Sequence, residues 1–135
     1  MLLHENITDK ILKCFYTVYN SLGYGFLEKV YEKALCIELR NAGVNCLPQK
    51  QIKVFYRGKK VGLYYADIVV EDKIIIELKT SPIINEHVFQ LLNYLKATEI
   101  EVGILLSFGK NAKFKRKIFT NERKSEHLKI HKQSV

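Results

Sequence analysis

The sequence predicts a single mixed α/β (α+β) domain, a central sheet flanked by helices. Three observations predict it: helical spacing in two separated stretches, strand-like alternation and apolar runs between and after them, and the lack of any dividing linker. A chain of 135 residues is the size of one domain. With 47% hydrophobic and 27% charged residues it can bury a core, which sets it apart from disordered or fibrous chains.

Ile7, Ile11, Phe15, Val18 and Leu22 recur every three or four residues, one face of a helix over 6–22 with Asn6 as its candidate cap. Gly23 and Gly25 break it. A second helix is expected over 26–42, apolar at Val30, Ala34, Leu35 and Leu39 and closed by Gly43. Beyond Pro48 the period changes: 51–57 alternates, and Arg57-Gly58-Lys59-Lys60 has the composition of a turn. Strands follow over 61–70 and 73–79, joined around Glu71-Asp72, and the run Ile74-Ile75-Ile76 suits a strand buried on both faces. Helical spacing returns over 86–98, where Val88, Leu91, Leu92 and Leu95 form one stripe and His87, Gln90 and Tyr94 another face. An apolar strand over 101–107 and a short one over 114–119 complete the order ααβββαβ(β).

No apolar run approaches the ~20 residues of a membrane span, and the first residues lack the basic head and apolar stretch of a signal peptide. Cys14, Cys36 and Cys46 are odd in number and without CxxC spacing, which suits reduced, mostly buried thiols rather than a disulfide framework or zinc site. The expectation is a cytoplasmic protein with no membrane partner.

Net charge is +8, and residues 110–135, with nine basic and two acidic groups, carry nearly all of it. Such a run is either a footprint for a polyanion, nucleic acid being the commonest, or a solubilising C-terminus. The domain is expected over 1–120, with 121–135 a basic tail.

Chemistry concentrates between Tyr65 and Lys79. Glu77 and Lys79 close an apolar strand and point to one side of it, and Asp67 lies on the preceding strand. Buried carboxylates are costly unless paired, and a divalent cation would pair them. Asp67 faces Glu77 only if the hairpin loop is odd, as Glu71-Asp72-Lys73 would be, or a bulge intervenes; a strict two-residue turn would send them to opposite faces. The plain alternative is a strand-end ion pair with Asp67 as a cap. Glu28 and Tyr31 share a helix face three residues apart, so Glu28 is either a further ligand or an exposed first-turn Glu favoured by the helix dipole. The His87, Gln90 and Tyr94 face could line a substrate groove or simply meet water.

Taken together, Gly25-x-x-Glu28-x-x-Tyr31, Ala66-Asp67, Glu77-Leu78-Lys79 and His87-x-x-Gln90-Leu91-Leu92-x-Tyr94 resemble the PD-(D/E)XK nuclease superfamily, in particular its small GxxExxY-type branch. The resemblance covers about residues 5–110. It implies a restriction-endonuclease-like αβββαβ core with one extra N-terminal helix. It further implies Mg²⁺ or Mn²⁺ held by Asp67, Glu77, the Leu78 carbonyl and Glu28, with Lys79 as the catalytic lysine. Tyr31, His87, Gln90 and Tyr94 would support the site or bind substrate. Ala66 stands where the superfamily name has Pro, and Tyr65 where branch members often carry Arg, which removes one phosphate contact near the site.

The expected activity is metal-dependent hydrolysis of phosphodiester bonds in nucleic acid, DNA favoured over RNA. Lys113, Lys115, Arg116 and Lys117 would hold the backbone, and a homodimer is one arrangement that would cut both strands. Two alternatives stay open. One is a nucleic-acid-binding or assembly module that kept the fold without turnover, and the other a metal-dependent enzyme on a different phosphorylated substrate.

Overall fold

In the computed structural model, which describes residues 2–124, the apolar periodicities resolve into three helices and five strands. In chain order these are α1 (Glu5–Leu22), α2 (Glu28–Asn41), β1 (Cys46–Tyr56), β2 (Lys59–Val70), β3 (Ile74–Lys79), α3 (Asn85–Ala97), β4 (Val102–Phe108) and β5 (Ala112–Ile118). The strands lie side by side in sequence order. β1, β2 and β3 form an antiparallel meander, α3 carries the chain over to β4 parallel to β3, and β5 returns antiparallel to β4. Together they make the mixed, restriction-endonuclease-like sheet that the sequence predicts.

The parallel pair is the centre of the protein. Every residue of β4 is buried, and so is β3 from Ile74 to Leu78, as expected of strands covered on both faces. α1 and α2 cover one face, packing Ile11, Phe15, Leu35 and Leu39 on Ile68, Ile76, Ile104 and Leu106. α3 covers the other, packing Val88, Leu91, Tyr94 and Leu95 on Ile52, Ala66, Val69, Ile75 and Leu105. The three free cysteines are buried, as expected.

Several boundaries differ from those the sequence suggests. Asn6, the expected cap, lies inside α1; the cap position is His4, whose carbonyl accepts from the Thr8 hydroxyl. β1 starts at Cys46, ahead of Pro48, because β1 is an edge strand and an edge tolerates proline. The turn beyond β1 shrinks to Arg57-Gly58, both at positive φ (48° and 78°), so Lys59 and Lys60 open β2. Tyr94, expected on the polar face of α3, is 4% exposed and belongs to the core.

Past β5 the described chain remains packed. Asn121 N–H donates to Glu101 Oε2 at 2.8 Å, and Lys124 Nζ donates to the Thr98 and Ile100 carbonyls at 2.6 and 2.9 Å. Residues 125–135 of the expected basic tail lie outside the described residues.

α3 approaches β4 closely because Gly103 leaves room for it: a Cβ there would stand 2.6 Å from Leu91 Cδ1. Leu91 is fully buried and has nowhere to swing. Gly103→Ala should therefore lower stability by about 1–3 kcal/mol, read as a drop in the urea midpoint at unchanged m-value.

Candidate active site

The site begins with a hairpin. Glu71, Asp72 and Lys73 join β2 to β3, with positive φ at Glu71 (53°) and Asp72 (52°). The ladder pairs Val70 with Ile74 and ends at Ile68 with Ile76. The loop is odd, so the next step sets Asp67 opposite Glu77. There the backbone ladder stops and side chains continue it: Asp67 N–H donates to Glu77 Oε2, and Leu78 N–H to Asp67 Oδ2, each at 2.8 Å. Each carboxylate thus has one oxygen fixed by a main-chain amide.

Alternation slips at the same level. Ala66 packs on the α3 side whereas Ile68, two residues on, packs on the α1–α2 side. Opposite Asp67, between the pairs Pro48–Ile68 and Lys50–Ala66, stands Gln49 at φ 55°, a left-handed residue inside a strand. Its amide donates to Glu32 Oε1 at 2.6 Å and lies 3.5 Å from Asp67 Oδ1. Asp67 therefore meets α2, and with Glu28, Lys29, Glu32, Gln49 and Leu78 it lines a cavity of about 80 Å³.

α2 is aimed at that cavity by the loop before it. Tyr31, fully buried and stacked on Phe108 at 4.3 Å, donates its hydroxyl to the Gly23 carbonyl at 2.6 Å and accepts from Phe26 N–H at 3.2 Å. Gly25, at φ 112°, takes a conformation that side chains resist. The glycine shapes the loop, Tyr31 ties it down, and Glu28 becomes the first residue of α2 at the cavity rim. One turn on, Glu32 is 5% exposed and bonded to Lys29 Nζ at 2.7 Å.

These acids crowd one another. Burial and the neighbouring Asp67 push the Glu77 carboxyl up to about 8, with Glu28 adding to the rise. Burial likewise raises Asp67, against the Leu78 amide and Lys79, and raises Glu28, where Asp67 adds and Lys79 opposes. Lys79 is the cation that recurs around the cluster, lowering all three carboxyls. Hard oxygen donors that repel one another around a small cavity fit a divalent cation. Among the described residues no three His, Cys, Asp or Glu side chains form a ready-made cage.

The remaining residues singled out from the sequence divide. Tyr94 lies close enough to Glu77 that burial and that carboxylate raise its hydroxyl to about 12, and Gln90 donates to it at 2.5 Å. His87 Nδ1 accepts the Ile84 N–H at 3.2 Å, capping α3, and burial and Lys79 lower its pKa. On β5, Lys113 stands in one row with Ser107 and Lys79, and Lys115 in one row with Leu105 and Glu77. Each is two strands from the site, about 10 Å away. Lys117 lies farther down the same face, opposite Gly103. Arg116 does not join them; it points to the other face and donates to the Leu3 carbonyl at 2.5 Å.

Sequence reasoning missed Glu32 and Gln49. Glu32 follows Glu28 by four residues, a spacing that could have flagged it. Nothing in the sequence marks a strand residue at positive φ.

Carboxylates and a lysine gathered where two strands of a mixed sheet part, beneath the N-terminal end of a helix, define a restriction-endonuclease-like protein. The model for the PD-(D/E)XK nuclease superfamily matches residues 5–118, and the chain belongs to that superfamily. Its members are typically hydrolytic nucleases that use divalent metals. No curated protein and no solved structure matches the chain.

The raised Glu77 carboxyl has a consequence for the metal-free protein. Its native value, about 8, exceeds the ordinary 4.5, so between those values the folded state binds more protons than the unfolded one. Stability is greatest below about 4.5 on this account and is lost as pH rises toward 8. Glu77→Gln should flatten that slope and raise stability at pH 9 by several kcal/mol, checked by urea melts in EDTA across pH.

Proposed function

We propose that this protein is a Mg²⁺- or Mn²⁺-dependent phosphodiesterase acting on nucleic acid, with DNA favoured over RNA. The observation that carries the reading is the meeting of Asp67, Glu77 and Lys79 where β2 and β3 separate, with Glu28 at the rim. Asp67, Glu77 and the Leu78 carbonyl would hold the metal, with Glu28 as a further acidic ligand. Bound there, the metal would polarise the scissile phosphate and lower the pKa of a water.

The protein's own groups do the rest. The Asp67 and Leu78 amides hold the two carboxylates by one oxygen each, so that the cation would be met by the second oxygen of each, the Asp67 one also near the Gln49 amide. The Lys79 ammonium positions the attacking water and balances charge developing on the phosphate. Gln49 steadies Asp67 and Glu32 from the edge strand. Gln90 and Tyr94 back the Glu77 side from α3. Lys113 and Lys115 hold the polynucleotide backbone without reading sequence, which makes binding steeply salt-dependent.

Labelled single-stranded DNA, duplex DNA and RNA should be offered with Mg²⁺, Mn²⁺ or EDTA to the wild type, Glu77→Ala and Lys79→Ala, purified identically. Metal-dependent cutting by wild type should fall at least about 10²-fold in each variant. Equal cutting by all three would mark a contaminant. The absence of cutting would favour a binding module on the same fold, whose affinity needs the basic residues alone.

Gln49→Ala is expected to weaken activity less than Lys79→Ala, since it loosens Asp67 without removing a reacting group. Activity titrated against Mg²⁺ should show a raised metal requirement rather than abolished turnover.

A further inference from the structure

Basic charge is not confined to β5. From Pro48 to Ala66 the sequence holds five basic residues, Lys50, Lys53, Arg57, Lys59 and Lys60, and no acidic one. The segment comprises the far ends of β1 and β2. Their mutual ladder continues to Tyr56–Lys59, whereas the ladder from β2 to β3 stops at Ile68–Ile76. The hairpin therefore runs on past the carboxylates with no β3 partner. Beside its exposed lysines it presents large side chains with apolar surface: Val61 is 63% exposed, Tyr56 57% and Tyr65 47%. Tyr64 turns toward α3, its ring 5.4 Å from that of Tyr94. Tyr65 takes the opposite face, two residues along β2 from Asp67.

We infer that this hairpin is a docking arm for unpaired nucleic acid, with Tyr65 as the platform on which a base stacks beside the cavity that Asp67 and Glu28 line. The inference rests on the nuclease reading and deepens it by naming single-stranded or frayed polynucleotide as the substrate class. An unpaired strand offers a free π-face at every base, whereas a duplex buries those faces and offers an exposed ring only groove edges and phosphates. Charge argues against a second copy as the occupant. Two arms with five like charges each and no carboxylates would repel, while a polyanion neutralises them.

The test is fluorescence anisotropy in EDTA with labelled oligothymidylate and with its duplex on oligoadenylate, alongside cleavage of both in Mg²⁺. Wild type should bind the single strand more tightly than the duplex. Tyr65→Leu should lose about tenfold in single-strand affinity, and Tyr65→Phe, which keeps the ring, should retain it. Lys59→Thr with Lys60→Thr should reduce the slope of log affinity against log salt by about 1.4, with melting unchanged. Equal binding by Tyr65→Leu and wild type would overturn the arm, as would tighter binding of the duplex. So would a change in sedimentation of the free protein on altering the hairpin, which would assign this surface to a second copy. If wild type cuts with metal and the hairpin variants cut equally well, the arm alone fails. If wild type neither binds nor cuts either oligonucleotide, the nuclease reading fails first and takes the arm with it.

Discussion

Where β2 and β3 part, two carboxylates take over from the backbone, and the other features of the site are arranged around that exchange. A ladder that simply ended there would leave the Asp67 and Leu78 amides inside the protein without partners, at a cost comparable to lost hydrogen bonds. Glu77 and Asp67 supply the missing acceptors, each from the opposite strand. One pair of contacts therefore closes a gap in the sheet and fixes two carboxylates beside each other. Burial raises the proton affinity of both, with Asp67 adding to the rise at Glu77 and Glu32 adding to it at Asp67.

Charge is laid out in zones around that centre. Acidic groups converge on the parting of the strands, and Lys79 is the cation set among them. Basic groups lie outward along the sheet, at Lys113 and Lys115 on one side and on the β1–β2 hairpin on the other. A polyanion crossing the sheet in this direction would meet favourable potential at both flanks and repulsion in the middle, unless a cation fills the centre. On the proposed reading, binding and chemistry fall to different residues, so losses in each can be separated experimentally.

Much of this was legible in the sequence because it follows from periodicity. The helix stripes, the doubly buried run Ile74-Ile75-Ile76 and the odd loop that brings Asp67 to Glu77 are all consequences of period and parity. What the sequence did not carry are places where one residue departs from its element. Gln49 breaks the parity of β1, so Asp67 reaches Glu32 across a face that simple alternation would deny it. Arg116 was grouped with its basic neighbours by composition, but strand alternation puts it on the face opposite Lys115 and Lys117, against the Leu3 carbonyl. Tyr94 looked polar from its hydroxyl, yet burying the ring against Ile52 and Ala66 outweighs exposing one oxygen that Gln90 already satisfies.

The motif Gly25-x-x-Glu28-x-x-Tyr31 shows why an unfavourable cluster of charges can persist in a small domain. Helical spacing divides its residues among three environments: Tyr31 enters the aromatic stack with Phe108 and Phe15, Glu28 stays at the rim, and Gly25 takes the φ their connection requires. The strain at the acids is thus opposed within two turns of chain by a fully buried ring with both hydroxyl bonds made. The two central strands beneath are almost wholly buried and paired from Ile74–Val102 to Lys79–Ser107, a floor that fixes where the carboxylates stand. A looser floor would let the acids relax apart, and the crowding that helps raise the Glu77 carboxyl would relax with them.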